Sequence, residues 1–179
     1  FLAESDMELI HVERIPTHGG SIRVVVQHKG GPHMVDDSVD KFIELEHRFG
    51  LDHSGTLLGF SRKIDQLRES LSQVLEDIQT AGKRIAGFGA PAKATTLLYH
   101  FGLGPNMIEF IVDDSPLKQG LYSPGMHIPI LPVDALYERA PDYAIVLAWN
   151  FAKPIMSNHA KFQKLGHHFI VPLPEVHLY

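Results

Sequence analysis

The chain contains no cysteine among its 179 residues. Disulfide bonds and thiol catalysis are therefore excluded. Basic residues are also few, since 16 lysines and arginines stand against 21 aspartates and glutamates, giving a formal net charge of −5. Nucleic-acid-binding domains usually carry a basic surface, and this balance gives no indication of one. We therefore expect no nucleic-acid partner.

Long apolar runs are missing as well. No stretch approaches the roughly 18 consecutive apolar residues that a membrane-spanning helix requires. The first six residues, Phe1 to Asp6, lack the basic start and the long apolar segment of a secretory signal. The sequence thus predicts a cytoplasmic protein with no membrane contact. Because it does not begin with Met, we also expect it to be part of a longer chain.

Metal-binding and nucleophile motifs are absent despite twelve histidines. No His-x-x-x-His or His-Glu-x-x-His spacing occurs, and the adjacent His167 and His168 would point to opposite sides of a strand. There is no Gly-x-Ser-x-Gly elbow and no Gly-Lys-Ser/Thr phosphate loop. We predict no metal site and no serine-hydrolase chemistry.

The clearest motif that is present runs through residues 84–98, where a short apolar strand passes through glycines into a helix. Gly87, Gly89 and Ala92 match the Gly-x-Gly-x-x-Ala pattern of dinucleotide-binding turns. The helix that begins at Pro91 would direct free N–H groups and its dipole at an anion such as a pyrophosphate. Asp113 follows Gly87 by 26 residues, which is longer than the usual spacing of about 20.

From Lys83 onward, apolar strands alternate with helices, which predicts a parallel sheet with right-handed crossovers. The predicted strands are 84–88, 108–112, 128–131, 143–148 (central in the sheet) and 168–171. The predicted helices are 91–101, 133–139 and 153–164. Ligands of such sheets bind beyond the carboxyl ends of the strands. Those ends are 87–90, 113–115, 149–151 and 172–175.

The first part of the chain has a different pattern. Two predicted strands, 7–16 and 21–27, flank a turn and indicate a hairpin. A hairpin of two strands is only marginally stable by itself in water, so this one resembles the edge of a larger sheet. A short helix follows, capped by Asp37 or Ser38 and ended by Gly50. A longer amphipathic helix begins at Ser61, after an ambiguous stretch, and serves either as a packing arm or as a partner-binding helix.

Four sets of residues are candidates for chemistry, each with a plainer alternative. His18 lies between the hairpin strands beside Gly19 and Gly20, where it is either a proton acceptor near neutral pH or an ordinary surface residue. Lys93 either meets a phosphate or is solvated on its helix. The remaining candidates are Asp113 and Asp114, as ribose ligands or caps, and residues 149–151, as a pocket wall or rim packing.

Taken together, the ordered motifs resemble a known family. They are Thr17–Arg23, Gly87–Leu98, Val112–Gly120 and Pro124–Ile130. In this order they are similar to the C-terminal region of S-adenosylmethionine-dependent sugar C-methyltransferases, which methylate a carbon of a nucleotide-linked keto-deoxysugar. Members of that family carry a zinc-binding segment and an S-adenosylmethionine-binding domain before this region, and neither is found in this sequence.

The resemblance implies a domain organisation and a set of site residues. Residues 1–36 would be the terminal hairpin of the absent methyltransferase domain, 37–82 a helical connector, and 83–179 a Rossmann-like domain that binds the nucleotide-sugar. His18 would be the catalytic base, while S-adenosylmethionine would be held mainly by the absent domain. The substrate-binding residues implied are Gly19, Gly20, Gly87, Gly89, Ala90, Pro91, Lys93, Asp113 and Asp114.

Two other functions remain open from the residues alone. One is a dinucleotide-binding oxidoreductase, although no catalytic Tyr/Lys or Ser pair is evident and the Gly87–Asp113 spacing is long. The other is a non-catalytic module that binds a nucleotide or coenzyme A. In every case the expected fold is α/β, with a Rossmann-like parallel sheet and flanking helices preceded by a hairpin and a helical arm. The unpaired hairpin edge would also permit a homo-oligomer.

Overall fold

The structure is a computed structural model that describes residues 2–179. The chain forms two compact units, Phe1–Arg62 and Lys63–Tyr179. The boundary lies inside the longest helix, which therefore contributes residues to both units. The expected α/β class, with a largely parallel sheet preceded by a hairpin, is confirmed.

The first unit contains the predicted hairpin and the first helix. Strands β1 (Met7–Ile15) and β2 (Ser21–His28) pair antiparallel, with one register shift between Leu9 and His11. Short 3-10 turns, Ala3–Ser5 and Thr17–Gly19, precede β1 and join the strands. Helix α1 (Ser38–Phe49) ends at Gly50, whose φ of 64° is the left-handed conformation that closes many helices.

The second helix is longer than the sequence predicted. Helix α2 (Ser54–Thr80) begins seven residues before the expected start at Ser61. In the second unit, Leu71, Leu75 and Ile78 are buried against the sheet core, so this part of α2 is a packing arm. The apolar spacing of three and four residues indicated this buried face correctly.

The second unit is built on a six-stranded sheet with the order β5-β4-β3-β6-β7-β8. Its strands are β3 (Ile85–Phe88), β4 (Ile111–Val112), β5 (Ile130–Leu131), β6 (Tyr143–Val146), β7 (His168–Val171) and β8 (His177–Leu178). The first five are parallel, and β6 is central as expected. The terminal β8 pairs antiparallel with β7 and was not predicted.

The helices of this unit lie on both faces of the sheet. They are α3 (Ala92–Phe101), α4 (Ala135–Glu138), α5 (Ala152–Asn158) and α6 (Ala160–Lys164), with a 3-10 turn at Trp149–Phe151. Helices α2 and α3 cover one core and α4 to α6 cover the other. Alternate residues of each strand enter the two cores, as Ile145 and Val146 show. This three-layer arrangement is the expected Rossmann-like architecture.

Several predicted elements of the second unit are shorter or interrupted in the structure. The strands expected at 128–131 and 143–148 are regular only at Ile130–Leu131 and Tyr143–Val146. The strand expected at 108–112 is regular only at Ile111–Val112, although Gly87 N–H still donates to the carbonyl of Phe110. The helix expected at 153–164 is broken at His159. The His159 ring packs 4.9 Å from the ring of Phe88 and its Nδ1 lies 2.9 Å from Tyr137 Oη. These tertiary contacts hold His159 in a non-helical conformation, which local periodicity did not reveal.

Gly87 provides a direct test of how tightly the sheet and its connections pack. A Cβ at this position would lie 2.8 Å from Ile111 Cγ1 and 2.9 Å from Leu147 Cδ1, and both neighbours are fully buried. We expect Gly87→Ala to destabilise the protein by roughly 1–3 kcal/mol, as overpacking does. Denaturant unfolding measures this change. Gly104→Ala is the control, because a Cβ there meets nothing within 4 Å; equal stability of the two variants would contradict the packing argument.

Candidate functional site

The turn after β3 owes its glycines to packing and backbone conformation. Gly87 is enclosed by Ile111 and Leu147, as described above. Gly89 has a φ of 86°, and a Cβ there would lie 2.7 Å from Ala148 Cβ. Both glycines are buried, so contacts within the protein account for their missing side chains. The sequence motif is therefore consistent with a tight turn even before a ligand is considered.

The carboxylate of Asp113 organises the loops at the carboxyl end of the sheet. Its Oδ2 accepts the Ala90 N–H at 2.6 Å and lies 3.1 Å from Lys118 Nζ, while its Oδ1 accepts the Ser115 N–H at 2.9 Å. Burial alone would raise the pKa of Asp113, but the hydrogen bonds from Ala90, Ser115 and Lys118 outweigh burial and lower it. Asp113 is thus a charged clamp between the β3–α3 turn and the loop after β4.

This clamp changes the interpretation of the acidic strand end. In a dinucleotide-binding fold, a carboxylate near this place binds ribose hydroxyls. Here both oxygens of Asp113 already accept hydrogen bonds from the protein. Its neighbour Asp114 is exposed. Of the two predicted acidic residues, Asp114 is the one whose side chain faces solvent.

A cavity of about 250 Å³ lies beside the start of α3. Its walls come from the β3–α3 turn, α3 itself, strands β4 and β5, and the loop between those strands. The lining residues are Ala90, Pro91, Ala92, Ala94, Thr95, Leu98, Ile111, Lys118, Leu121, Tyr122, Ser123, Pro124 and Ile130. The walls are mostly apolar with a few polar groups, which is typical of small-molecule sites.

The loop that forms one wall of the cavity is held by specific bonds. Ser123 Oγ accepts the Ile128 N–H at 3.0 Å, and the rings of Tyr122 and His127 stack with centroids 5.1 Å apart. Lys118 on the same loop is anchored to Asp113. The wall therefore has a defined shape, with the Asp113 clamp at its base.

Lys93 does not line this cavity. Its Nζ lies 4.3 Å from the centroid of the Trp149 ring. That nitrogen is buried, and no hydrogen-bond acceptor for it is found among residues 2–179. Burial lowers the pKa of Lys93. The contact between Lys93 and Trp149 thus joins helix α3 to the 3-10 turn that follows β6.

His18 lies in the other unit, in the turn between β1 and β2. It is exposed and adopts φ 55° and ψ 24°, a left-handed conformation that is uncommon for residues other than glycine. Gly19 and Gly20 follow with φ values of 90° and 134°, and the Gly20 N–H donates to the carbonyl of Thr17. The turn thus presents the imidazole from a tightly constrained backbone, and such strain is often found at functional positions.

The first unit also contains a serine, a histidine and an aspartate in contact, and of the three only Ser38 was indicated by the sequence, as a candidate helix cap. Ser38 Oγ and Asp36 Oδ2 both approach His11 Nδ1, at 3.4 Å and 2.5 Å, and Ser38 also bonds to Asp36. Hydrogen bonds from Ser38 and His11 lower the pKa of Asp36 to about 2. A catalytic relay needs serine and aspartate on opposite ring nitrogens. This trio instead connects β1 to the start of α1, where Ser38 Oγ also accepts the Val12 N–H.

Metal sites and membrane-spanning helices are both missing from the part of the chain that the structure describes. Across residues 2–179, no three or more histidine, aspartate or glutamate side chains converge as metal ligands would. None of the helices in the same range is both long enough and apolar enough to cross a membrane.

The structure therefore brings together only some of the predicted site residues. Ala90 and Pro91 line the cavity, Asp113 supports its wall, and Lys93 lies on the Trp149 side of α3. The polar lining residues Thr95, Lys118, Tyr122 and Ser123 were not among the predicted site residues. Thr95 and Lys118 were signalled only by their place in the ordered motifs, and Tyr122 and Ser123 lie between two of those motifs. Nothing in the local pattern of the four residues indicates a cavity.

Comparison with known proteins adds two findings. A family model described as the C-methyltransferase C-terminal domain matches residues 16–174, a range that includes every predicted site residue. The C-methyltransferase NovU of Streptomyces niveus is 34% identical over 169 residues, which cover 94% of this chain and 40% of NovU. The chain thus spans less than half the length of this curated relative.

The Asp113 clamp can be tested by removing its charge. We expect Asp113→Asn to destabilise the protein by roughly 1–3 kcal/mol, because the amide nitrogen cannot accept a hydrogen bond and Lys118 loses its partner. Since folding lowers the pKa of Asp113, its contribution is full above the ordinary carboxyl pKa and is lost as the pH falls below it.

Denaturant unfolding at several pH values measures the effect, and the difference between the wild type and Asp113→Asn should shrink in acid. The matched control is Asp114→Asn at the exposed neighbouring position, which should change stability by less than about 0.5 kcal/mol. A larger loss in Asp114→Asn than in Asp113→Asn would refute the clamp.

Proposed function

The chain belongs to the C-methyltransferase C-terminal domain family, and from this premise we propose that it is the C-terminal part of a sugar C-methyltransferase. The whole enzyme would transfer a methyl group from S-adenosylmethionine to a carbon of a nucleotide-linked keto-deoxysugar. In this proposal, residues 83–179 bind the nucleotide-sugar and the turn at residues 17–20 supplies the base. The chain alone is inactive, because the methyl donor is held elsewhere.

The cavity beside α3 is the observation that carries the substrate-binding role. It lies where the β3–α3 turn and the β4–β5 loop meet, close to the carboxyl ends of parallel strands, as ligand sites in such sheets do. Its volume of about 250 Å³ is below the roughly 300–1,000 Å³ of complete ligand sites. It therefore accommodates part of a nucleotide-sugar, with the remainder extending outward.

The electrostatics around the cavity suit a phosphate-bearing ligand. Lys118 lies on the wall and the N-terminus of α3 begins beside Pro91. Lys93, in the first turn of the same helix, is a second cation, but it faces Trp149 and does not line the cavity. Gly87 and Gly89 act indirectly, by allowing the turn to form, and Asp114 faces solvent where it is accessible to sugar or ribose hydroxyls.

The same geometry weighs against the dinucleotide oxidoreductase. That function requires an acidic side chain at the end of the second strand of the fold to hold ribose. Asp113 is at that position in sequence, but both of its oxygens accept protein hydrogen bonds. We therefore take this unit as a substrate platform, and the proposal places S-adenosylmethionine in a separate methyltransferase domain.

His18 is proposed as the base that makes the sugar carbon nucleophilic. A hydrogen on the carbon next to a ketone is weakly acidic, and a neutral imidazole accepts it. The resulting enolate carbon attacks the methyl group of the sulfonium. A carbon–carbon bond forms, the sulfur–methyl bond breaks, and the sulfur keeps the electron pair. Gly19 and Gly20 leave space beside the imidazole for the sugar.

The hairpin is proposed to complete the sheet of the methyltransferase domain. Strands β1 and β2 form a sheet of only two strands in the described chain. Ile22, Val24 and Val25 on β2 are exposed to 57%, 47% and 41%. Apolar strand residues with this exposure suit burial against further structure.

Binding of nucleotide-sugar is the first prediction of this proposal. We expect isothermal calorimetry to detect thymidine diphosphate-glucose binding to the 179-residue chain, whereas NAD and S-adenosylmethionine give no heat. Thr95→Trp, which fills the cavity, should weaken the binding at least tenfold. Thr96→Trp on the exposed side of the same helix is the control. Binding of NAD in preference to the sugar nucleotide would overturn the proposal.

The role of His18 gives a second prediction. We expect His18→Asn to lower methyl transfer by about 10²–10⁴-fold in a protein that joins this chain to a methyltransferase domain, because general base catalysis is lost. Asparagine tolerates the left-handed backbone that position 18 requires, so the turn is preserved.

The assay follows transfer of labelled methyl groups from S-adenosylmethionine. His33→Asn, at another exposed histidine of the same unit, should keep wild-type activity. A fully active His18→Asn enzyme would exclude His18 as the base.

A further inference from the structure

The sheet of the second unit has a crevice where its strand order reverses. From β3 the chain moves outward to β4 and β5, and from β6 it moves outward in the other direction to β7. The carboxyl ends of β3 and β6 flank this point, which is the usual ligand position in doubly wound folds. Lys93 follows β3 and Trp149 follows β6, and their side chains meet with Nζ 4.3 Å from the ring centroid.

The protein's own residues therefore fill this crevice. At its base, Gly89 packs so closely on Ala148 that no Cβ fits between them. Next to this contact, the buried ammonium of Lys93 rests on the Trp149 ring and has no hydrogen-bond acceptor in the described chain. A buried cation is normally paired or fully hydrogen-bonded, and a ring face alone stabilises it less than anionic oxygens do. Burial also lowers the pKa of Lys93.

The two carboxylates that follow β4 do not supply the missing acceptor. Asp113 is engaged by Ala90, Ser115 and Lys118, and Asp114 is exposed. Lys93 is also the second residue of α3, so its ammonium lies in the first turn of a ten-residue helix, where the dipole adds positive potential. The cation thus lacks an anionic partner at a place that favours one.

We propose that Lys93 and Trp149 form a latch that a phosphate group of the nucleotide-sugar opens by drawing the Lys93 ammonium away from the indole. This inference rests on the proposed substrate-binding function and adds Trp149 as a positioning residue. In the free protein the ring holds the ammonium and competes with the phosphate for it. In the complex the ammonium donates to phosphate oxygens and the ring is released.

Trp149 is the single tryptophan of the chain, so its fluorescence reports directly on the latch. We expect thymidine diphosphate-glucose to change the emission along a saturation curve that matches the curve from calorimetry. Inorganic pyrophosphate, tested separately, should produce the same change at higher concentration. Lys93→Met should remove the emission change and weaken binding at least tenfold, whereas Lys164→Met, at an exposed position of α6, should behave as wild type.

Substitution of the ring distinguishes a latch from a simple contact. Trp149→Leu removes the competing cation–aromatic contact, so calorimetry should show binding about three- to thirtyfold tighter. A tryptophan that only packs against the ligand would instead give weaker binding. Trp149→Phe keeps an aromatic face and should retain near wild-type affinity. It is the control for the leucine variant, because it also replaces the indole but keeps the ring contact.

The outcomes distinguish a failure of the Lys93–Trp149 latch from a failure of the proposed nucleotide-sugar binding. Binding in calorimetry without any change of Trp149 emission, or weaker binding by Trp149→Leu, overturns the latch and leaves the nucleotide-sugar proposal standing. Absence of binding by the wild-type chain overturns both.

Discussion

The arrangement of the candidate site depends on one buried carboxylate. Asp113 accepts the Ala90 N–H on one side and holds Ser115 and Lys118 on the other. The turn after β3 and the loop after β4 are thereby fixed to each other, and these are two walls of the cavity. Charge-assisted hydrogen bonds are stronger than neutral ones, so a single side chain can hold both segments.

A second constraint is the close packing behind that turn. Gly87 lies between Ile111 and Leu147, and Gly89 lies against Ala148. These contacts join β3 and the turn after it to β4 on one side and to the residues that follow β6 on the other. A glycine pattern usually associated with phosphate binding is here also a requirement of the sheet, so the motif by itself does not distinguish a dinucleotide site from a substrate platform. The proposal of a substrate platform rests on Asp113, whose two carboxylate oxygens both accept hydrogen bonds from the protein.

The functional proposal divides the chemistry between two units of the chain. The second unit offers a cavity with cations beside it, whereas the first unit presents His18 from a strained turn. Both His18 and the cavity lie within residues 16–174, the region that matches the family model. The Lys93–Trp149 contact adds a means by which substrate binding alters the crevice at the centre of the sheet.

Local patterns in the sequence determined the hairpin, the buried face of α2, the parallel sheet and the central position of β6, because periodicity and turn residues act over a few positions. The four ordered motifs of the sequence indicated the family. Tertiary structure alone decided that His159 breaks a helix, that β8 adds an antiparallel edge, and that Thr95 and Tyr122 share a cavity. It also brought Lys93 to Trp149. These contacts join residues that are far apart in the sequence, so no local pattern could indicate them. The Lys93–Trp149 contact, for example, forms because β6 pairs beside β3 in the sheet.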